Sequence, residues 1–275
     1  VSGPPPASRF GDFRPSGNQA PRPDIYELEN RALDPGGLVL AAMRRLAPWR
    51  DATIVDLGCG SGYWLAGYAD EASTVIGIEP DPVLIPLARA RVGDARVGHA
   101  RVGDARVGHA RVGNARVGNA RARVTVLEGS AEHLPLADAS VDVVHARFAY
   151  FFPPACEAGL AEVRRVLRPG GRLVVVDNDH DTGQFAELLG RSAGVAGQGR
   201  ADTTDEWWRE RGADRVTVMS EWRFERRRDL EAVLRLEFPA EVADPWLADH
   251  PAALGLTYGY VLFSVGQLPY PQATT

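Results

Sequence analysis

The chain has 275 residues, 45% hydrophobic and 24% charged, with a formal net charge of −5. Those fractions exclude wholesale disorder and collagen-like or coiled-coil composition, the acidic balance argues against a dedicated nucleic-acid binder, and no apolar run approaches the ~20 residues that span a bilayer. Its cations are all arginine, and its two cysteines, Cys59 and Cys156, give neither a disulfide framework nor metal-ligand spacing, so a reducing cytoplasm and no metal are expected.

Residues 1–24 carry six prolines and few apolar residues, which predicts a flexible arm and no secretory signal. The remainder, 25–275, is expected to form one domain. Asp24 can cap a helix over 25–30, and Asp34-Pro35 precedes a second with apolar Leu38, Leu40, Ala41, Met43 and Leu46. Strands and helices then alternate. Strands are expected at 53–57, 74–78, 124–127, 141–145 and 172–176, with helices at 63–69, 81–91 and 155–167. Alternation of this kind predicts a parallel sheet with helices on both faces, and the unbroken run Leu173-Val-Val-Val176 fits a strand buried on both sides. Residues 178–214 read as a helical insertion carrying Trp207 and Trp208. Two longer strands, 216–224 and 257–265, flank a helix at 229–236 and suggest an antiparallel pair at one sheet edge.

Between Ala90 and Asn119 the unit Ala-Arg-Val-Gly-Asp/His/Asn repeats six times, and residues 91–100 recur unchanged at 101–110. A period of five cannot hold its valines on one helical stripe, and a glycine in every unit weakens a helix further. The segment 90–120 is therefore expected to be a tandem duplication looped out at the surface. The eight arginines of residues 91–123 would be the support for a nucleic-acid or acidic partner.

The densest chemical signal is Val55-Asp56-Leu57-Gly58-Cys59-Gly60-Ser61-Gly62. A strand ends in an acid, three alternating glycines follow, and a helix begins. Glycines there permit positive φ and let a ligand lie against bare backbone, and the helix offers free amides. The spacing is not the dinucleotide pattern, because Tyr63 stands where a third glycine would be required. Glu79 closes the next strand some twenty residues on, where a carboxylate can accept both hydroxyls of a ribose.

With those residues in view, the sequence resembles the class I S-adenosylmethionine-dependent methyltransferases of the small-molecule type. The resemblance runs from about 53 to 177 through four segments in order: VDLGCGSG, VIGIEPD, LEGSAEHLPLADASVDVV and EVRRVLRPGGRLVVVD. It implies a Rossmann-like α/β/α sandwich around a doubly wound, seven-stranded, mostly parallel sheet with one antiparallel C-terminal edge strand. It also implies S-adenosyl-L-methionine as cofactor and S-adenosyl-L-homocysteine as product. By resemblance, Gly58, Cys59, Gly60 and Gly62 line the methionine and ribose portions, with Cys59 as a small residue suited to the turn. Asp56 would hold the amino end, Glu79 the ribose hydroxyls, and Pro80 and Asp81 would border the adenine. Where relatives often carry Gly-Asp-Ala, this chain has Gly129-Ser130-Ala131-Glu132, so Ser130 would replace a charged contact with a neutral one. His145, Ala146 and Arg147 would flank the methionine portion.

An oxygen nucleophile would want a nearby base. His180 and Tyr150 are the candidates, with Asp179 beside them, since ligands of open α/β sheets bind at the carboxyl ends of strands. The aromatic run 148–152 and Trp207-Trp208 suggest an aromatic pocket under a lid formed by 178–214 and the N-terminal arm. The expected acceptor is a small molecule. Alternatives are RNA or protein methylation, or cofactor binding without catalysis. No membrane partner is expected, and the chain would be a monomer or a homodimer.

Overall fold

The computed structural model describes residues 8–11, 13–15, 21–98, 122–196 and 202–266. In chain order they form α1 (Pro23–Ala32), α2 (Leu38–Leu46), β1 (Thr53–Leu57), α3 (Leu65–Ala69), β2 (Thr74–Glu79), α4 (Leu84–Gly98), β3 (Arg123–Glu128) and β4 (Val141–Arg147). Then come α5 (Glu157–Val166), β5 (Leu167–Asn178), α6 (Gln184–Ala196), α7 (Asp202–Glu210), β6 (Asp214–Arg223), α8 (Arg227–Glu237), α9 (Ala240–Asp249) and β7 (Gly255–Val265).

The strands make one seven-stranded sheet in the order β3-β2-β1-β4-β5-β7-β6. The first five are mutually parallel, and β7 runs antiparallel to both its neighbours. The antiparallel strand thus lies one place inside the edge, with β6 outermost. Residues 184–249 supply both β6 and the helices that precede and follow it, so β7 arrives last and fills the gap between β5 and β6. Chain order reverses between β1 and β4, whose ends lie in register, Asp56 beside His145 and Leu57 beside Ala146. Open α/β sheets bind ligands in the crevice at such a reversal.

Alternation along the strands builds a core on each face. Ile54, Val75, Val174 and Val176 point to one side, against Trp49, Tyr68, Trp222 and Tyr260. Val55, Leu57, Val144 and Val175 point to the other, against Leu160, Val163, Trp208 and Phe263. Burial on both faces explains why the central strands are apolar without interruption.

Local chemistry sets the element ends. Pro23 occupies the first turn of α1, where its missing N–H is no loss, and Asp24 lies in that turn rather than at the cap. Asp34 reaches forward to α2: its two carboxylate oxygens accept the amides of Leu38 and Val39, both at 2.9 Å, and Ser220 Oγ donates to it at 2.7 Å. β5 is longer than expected because Leu167 already pairs with Val141 and the chain kinks through Gly170 at φ +84° before rejoining β4. α4 also outruns expectation, continuing to Gly98 inside the repeat. Once a helix is nucleated, each added residue gains a hydrogen bond, which outweighs the glycine cost over two turns. The rest of the repeat, 99–121, lies outside the described residues. Among the described residues no helix is long and apolar enough to cross a membrane, and no group of three metal-ligating side chains is found.

Candidate functional site

The loop after β1 is built on its glycines. Gly58, Gly60 and Gly62 have φ of +72°, +56° and +75°. A β-carbon on Gly58 would lie 2.5 Å from that of Ala149, and one on Gly60 would lie 3.2 Å from the hydroxyl of Tyr26. The loop is therefore a backbone cradle that any side chain at Gly58 or Gly60 would strain or fill. Cys59 points the other way, against bare Gly77, where an added β-carbon would sit 2.8 Å from its sulfur. Burial raises its thiol pKa, which suits packing rather than nucleophilic chemistry.

Glu79 faces this cradle from the end of β2. Its Oε2 accepts the Gly60 amide at 2.7 Å and its Oε1 the Asp81 amide at 2.9 Å. Burial pushes its carboxyl up to about 7 despite those two amides. A carboxylate has roughly four lone-pair sites, so two amides leave room for a diol. Gly129 follows β3 beside it and donates its amide to the Glu79 carbonyl at 3.2 Å. Ser130 is buried and its Oγ lies 3.3 Å from His133 Nδ1. Pro80, Ser130, Ala131 and Glu132 all line one wall of a single cavity of about 730 Å³.

Asp56 lies at the end of β1, buried, with Arg147 Nη2 3.1 Å from its Oδ2. Burial raises the Asp56 pKa and the guanidinium partly offsets this. Arg147 also stacks over Trp64, 4.6 Å from the ring centroid. Arg147 lines the cavity and leaves its buried Nε without a partner. Ala146 is buried within β4, in register with Leu57, and serves the strand rather than the cavity wall. His145, expected beside the methionine portion, does not line the cavity: it is sealed between Trp49 and Tyr68, and burial drives its pKa down to about 3, so it stays neutral.

The two candidate bases fare differently. His180 is exposed on the loop after β5 and does not line the cavity. The cause is the turn that follows: Asp179 is buried and its carboxylate accepts the Asp181 amide and the Thr182 hydroxyl, which directs the intervening histidine outward. Tyr150 does line the cavity, at φ +58°. Its hydroxyl donates to Glu132 Oε1 at 2.7 Å and accepts the Gly159 amide at 3.1 Å. Burial and Glu132 raise its pKa, so it is a positioned donor and a poor base. No histidine lines the cavity among the described residues.

The aromatic expectations also divide. Phe148, Tyr150 and Phe152 line the cavity, whereas Phe151 and Trp208 pack on the opposite face of the sheet, Trp208 stacking on Phe263 at 5.5 Å. Trp207 carries Arg211 over its ring instead. Of the insertion 178–214, α6 contributes Phe185 and Leu189 to the cavity, and none of the described side chains of α7 lines it. From the N-terminal arm, Phe13 and Arg14 line the cavity, Ser8 donates to the Pro80 carbonyl at 2.9 Å, and Arg9 pairs with Glu128 at 3.1 Å.

Sequence reasoning missed α1 as part of the site. Tyr26, Glu29, Asn30 and Leu33 line the cavity at spacings of three, four and seven, a single helical stripe. Glu27, on another face, accepts from Ser61 Oγ and pairs with Arg91 of α4 at 2.6 Å, clamping α1 to the glycine loop. The signal available was that stripe, whose polar members do not register as an apolar face.

Residues 55–175 match the family described as methyltransferase domain. An uncharacterized methyltransferase of Mycobacterium tuberculosis is 28% identical over 151 residues, 53% of this chain and 50% of that protein. A ubiquinone/menaquinone biosynthesis C-methyltransferase of Rubrivivax gelatinosus is 33% identical over 135 residues, 49% of this chain and 43% of that protein. The chain spans about half the length of these curated relatives. The crystal structure of the YcgJ protein of Bacillus subtilis aligns with TM-score 0.52 at 16% identity, over 82% of this chain and 96% of that one, and shares its fold.

Proposed function

We propose that this chain, residues 55–175 of which match a methyltransferase domain, is a class I S-adenosylmethionine-dependent methyltransferase that transfers a methyl group to a small-molecule acceptor. One observation supports the reading above the others. Gly58 of the glycine loop and Glu79 line the same cavity of about 730 Å³ as Phe148, Phe185 and Tyr258. A volume of that order holds a ligand of drug-like size.

The residues present fit the cofactor. A β-carbon would fill the cradle at Gly58 and Gly60, and the Glu79 carboxylate retains acceptor capacity at the strand end where a ribose diol would lie. Gly58 and Gly60 would bring bare backbone against the cofactor, Glu79 would bind its hydroxyls, and Asp56 with Arg147 would meet the charged amino-acid end. Ser130 would offer a neutral hydrogen bond toward the adenine. When bound, S-adenosylmethionine supplies an electrophilic methyl group on a sulfonium. The chain's own contribution is then to hold an acceptor in line and to keep water away. The α1 stripe and the aromatic wall enclose the space beside the cradle, with Tyr26 directly over Gly60.

Calorimetric titration with S-adenosylmethionine, S-adenosylhomocysteine and NAD tests this, with Glu79→Ala alongside. Micromolar binding of both sulfur compounds, weakened by the substitution, is the expected result. A folded protein that binds neither overturns the proposal.

A further inference from the structure

Two tyrosines of β7 stand on one face of the sheet and differ in what their hydroxyls meet. Tyr258 and Tyr260, two residues apart and stacked at 4.3 Å, both line the cavity. The hydroxyl of Tyr258 donates to Oδ1 of Asn178, the last residue of β5. That of Tyr260 is buried and has no hydrogen-bond partner among the described residues. Burial, with the Asp34 and Glu29 carboxyls nearby, raises its pKa, so it stays protonated and can donate. Tyr260 pairs in register with Asn178, at the carboxyl end of the parallel strands where ligands of such sheets bind. With its oxygen committed to Tyr258, the Asn178 amide keeps its N–H groups for another partner, and Asn178 lines the cavity too.

Much of the surrounding wall is apolar. Val39, Met43, Val176 and Phe185 belong to the same buried cluster as Tyr260 and line the same cavity. Phe148 lies 6.1 Å from the Tyr260 ring, and Phe185 stacks on Tyr258 at 3.8 Å. An unbonded hydroxyl buried in such a wall costs stability, and phenylalanine would fill the same space without that cost. The tyrosine is accounted for when a bound molecule completes its hydrogen bond. Two donors, the Tyr260 hydroxyl and the Asn178 amide, call for an acceptor. Being neutral, they match a neutral oxygen better than an anion, whose desolvation they would not repay.

We propose that Tyr260 determines acceptor specificity, and that the acceptor is an apolar molecule carrying a neutral oxygen, a carbonyl or a hydroxyl. That oxygen takes hydrogen bonds from the Tyr260 hydroxyl and the Asn178 amide, and the hydrocarbon lies along Phe148 and Phe185. This rests on the methyltransferase reading, because it assigns the glycine cradle and Glu79 in the same cavity to the cofactor.

The test is calorimetry of the full chain saturated with S-adenosylhomocysteine. It is titrated with acetophenone against ethylbenzene and with naphthol against naphthalene. Expected is at least one oxygenated compound that binds about tenfold or more tightly than its hydrocarbon. Tyr260→Phe should bring the two to within about threefold of each other, with binding of the hydrocarbon and of S-adenosylhomocysteine unchanged. Asn178→Asp, which keeps an acceptor for Tyr258 and removes the amide donor, should narrow the preference as well. Thermal unfolding of the ligand-free Phe variant separates a binding role from a structural one: its Tm should be unchanged or higher, because no bond inside the protein is lost. Oxygenated compounds that bind no better than their hydrocarbons, a preference that survives Tyr260→Phe, or a lower Tm in that variant overturns the assignment. While S-adenosylhomocysteine still binds, each of these leaves the methyltransferase reading intact. Failure of the unmodified chain to bind S-adenosylhomocysteine overturns both.

Discussion

Glu79 should make cofactor affinity depend on pH in a direction and size that the structure sets. Its carboxyl is buried at 4% exposure and titrates at about 7, against an ordinary 4.5. A ribose diol donates two hydrogen bonds and so prefers the ionised form. At about pH 5.5 only some 3% of the group is ionised, which weakens S-adenosylhomocysteine about thirtyfold relative to about pH 8.5, with a plateau above. Folding stability moves the opposite way. The folded pKa lies above the unfolded one, so this group's favourable contribution is complete below about 4.5 and is lost as pH rises through about 7. That loss amounts to at most about 3 kcal/mol in the ligand-free protein. Calorimetry at four pH values, in buffers of differing ionisation enthalpy, measures both the affinity and the proton released on binding. Glu79→Gln should flatten the profile. A constant Kd between about pH 5.5 and 8.5, or an unchanged slope in the Gln variant, would refute the assignment of the ribose to Glu79.

Three further substitutions separate cradle, ion pair and core. Gly58→Ala forces a left-handed residue against Ala149 and should cost about 2 kcal/mol or more, read as a fall in Tm together with loss of S-adenosylhomocysteine binding. Arg147→Met leaves the Asp56 charge buried and alone, a loss of about 3–5 kcal/mol in urea unfolding. Adding Asp56→Asn should recover most of that stability without restoring cofactor binding. Trp208→Ala should cost about 3–5 kcal/mol in the same assay, yet leave S-adenosylhomocysteine affinity unchanged at temperatures where the variant is folded, because Trp208 packs on the far side of the sheet.

The strands were legible because each reports its own environment. Thr53–Leu57 is an apolar run that stops at Asp56 and a glycine turn, and such a run has few stable places other than the middle of a covered sheet. Glu79 and the three glycines were legible for a related reason, since a strand end and a tight turn are local events. The misses were mostly tertiary. α9 was overlooked because Pro245 interrupts its pattern, yet Trp246 and Leu247 bury it against the sheet's helical layer all the same. His180 was placed near the reaction by strand position alone, and nothing in its own residue type announces that Asp179 would close the turn and send it outward. The position of β7 depends on which gap in the sheet is open when the last strand arrives, a property of the whole chain. Glu29 and Glu237, which are hydrogen-bonded to each other, stand 208 residues apart, and no window of sequence brings them together.

That separation also bears on how the two ends of the cavity are joined. Helix α1 presents Tyr26 to the glycine cradle and Glu29, one turn on, to Glu237, while Glu27 on another face holds the helix to Ser61 and Arg91. A single turn, about 5 Å long, therefore links Tyr26 beside the glycine loop to Glu29 further along the cavity wall. Displacing Tyr26 moves Glu29 with it, because an α-helix transmits a shift along its axis and cannot absorb one within a turn. Helix α1 thereby joins the glycine loop to a second stretch of the cavity wall through consecutive turns of one backbone.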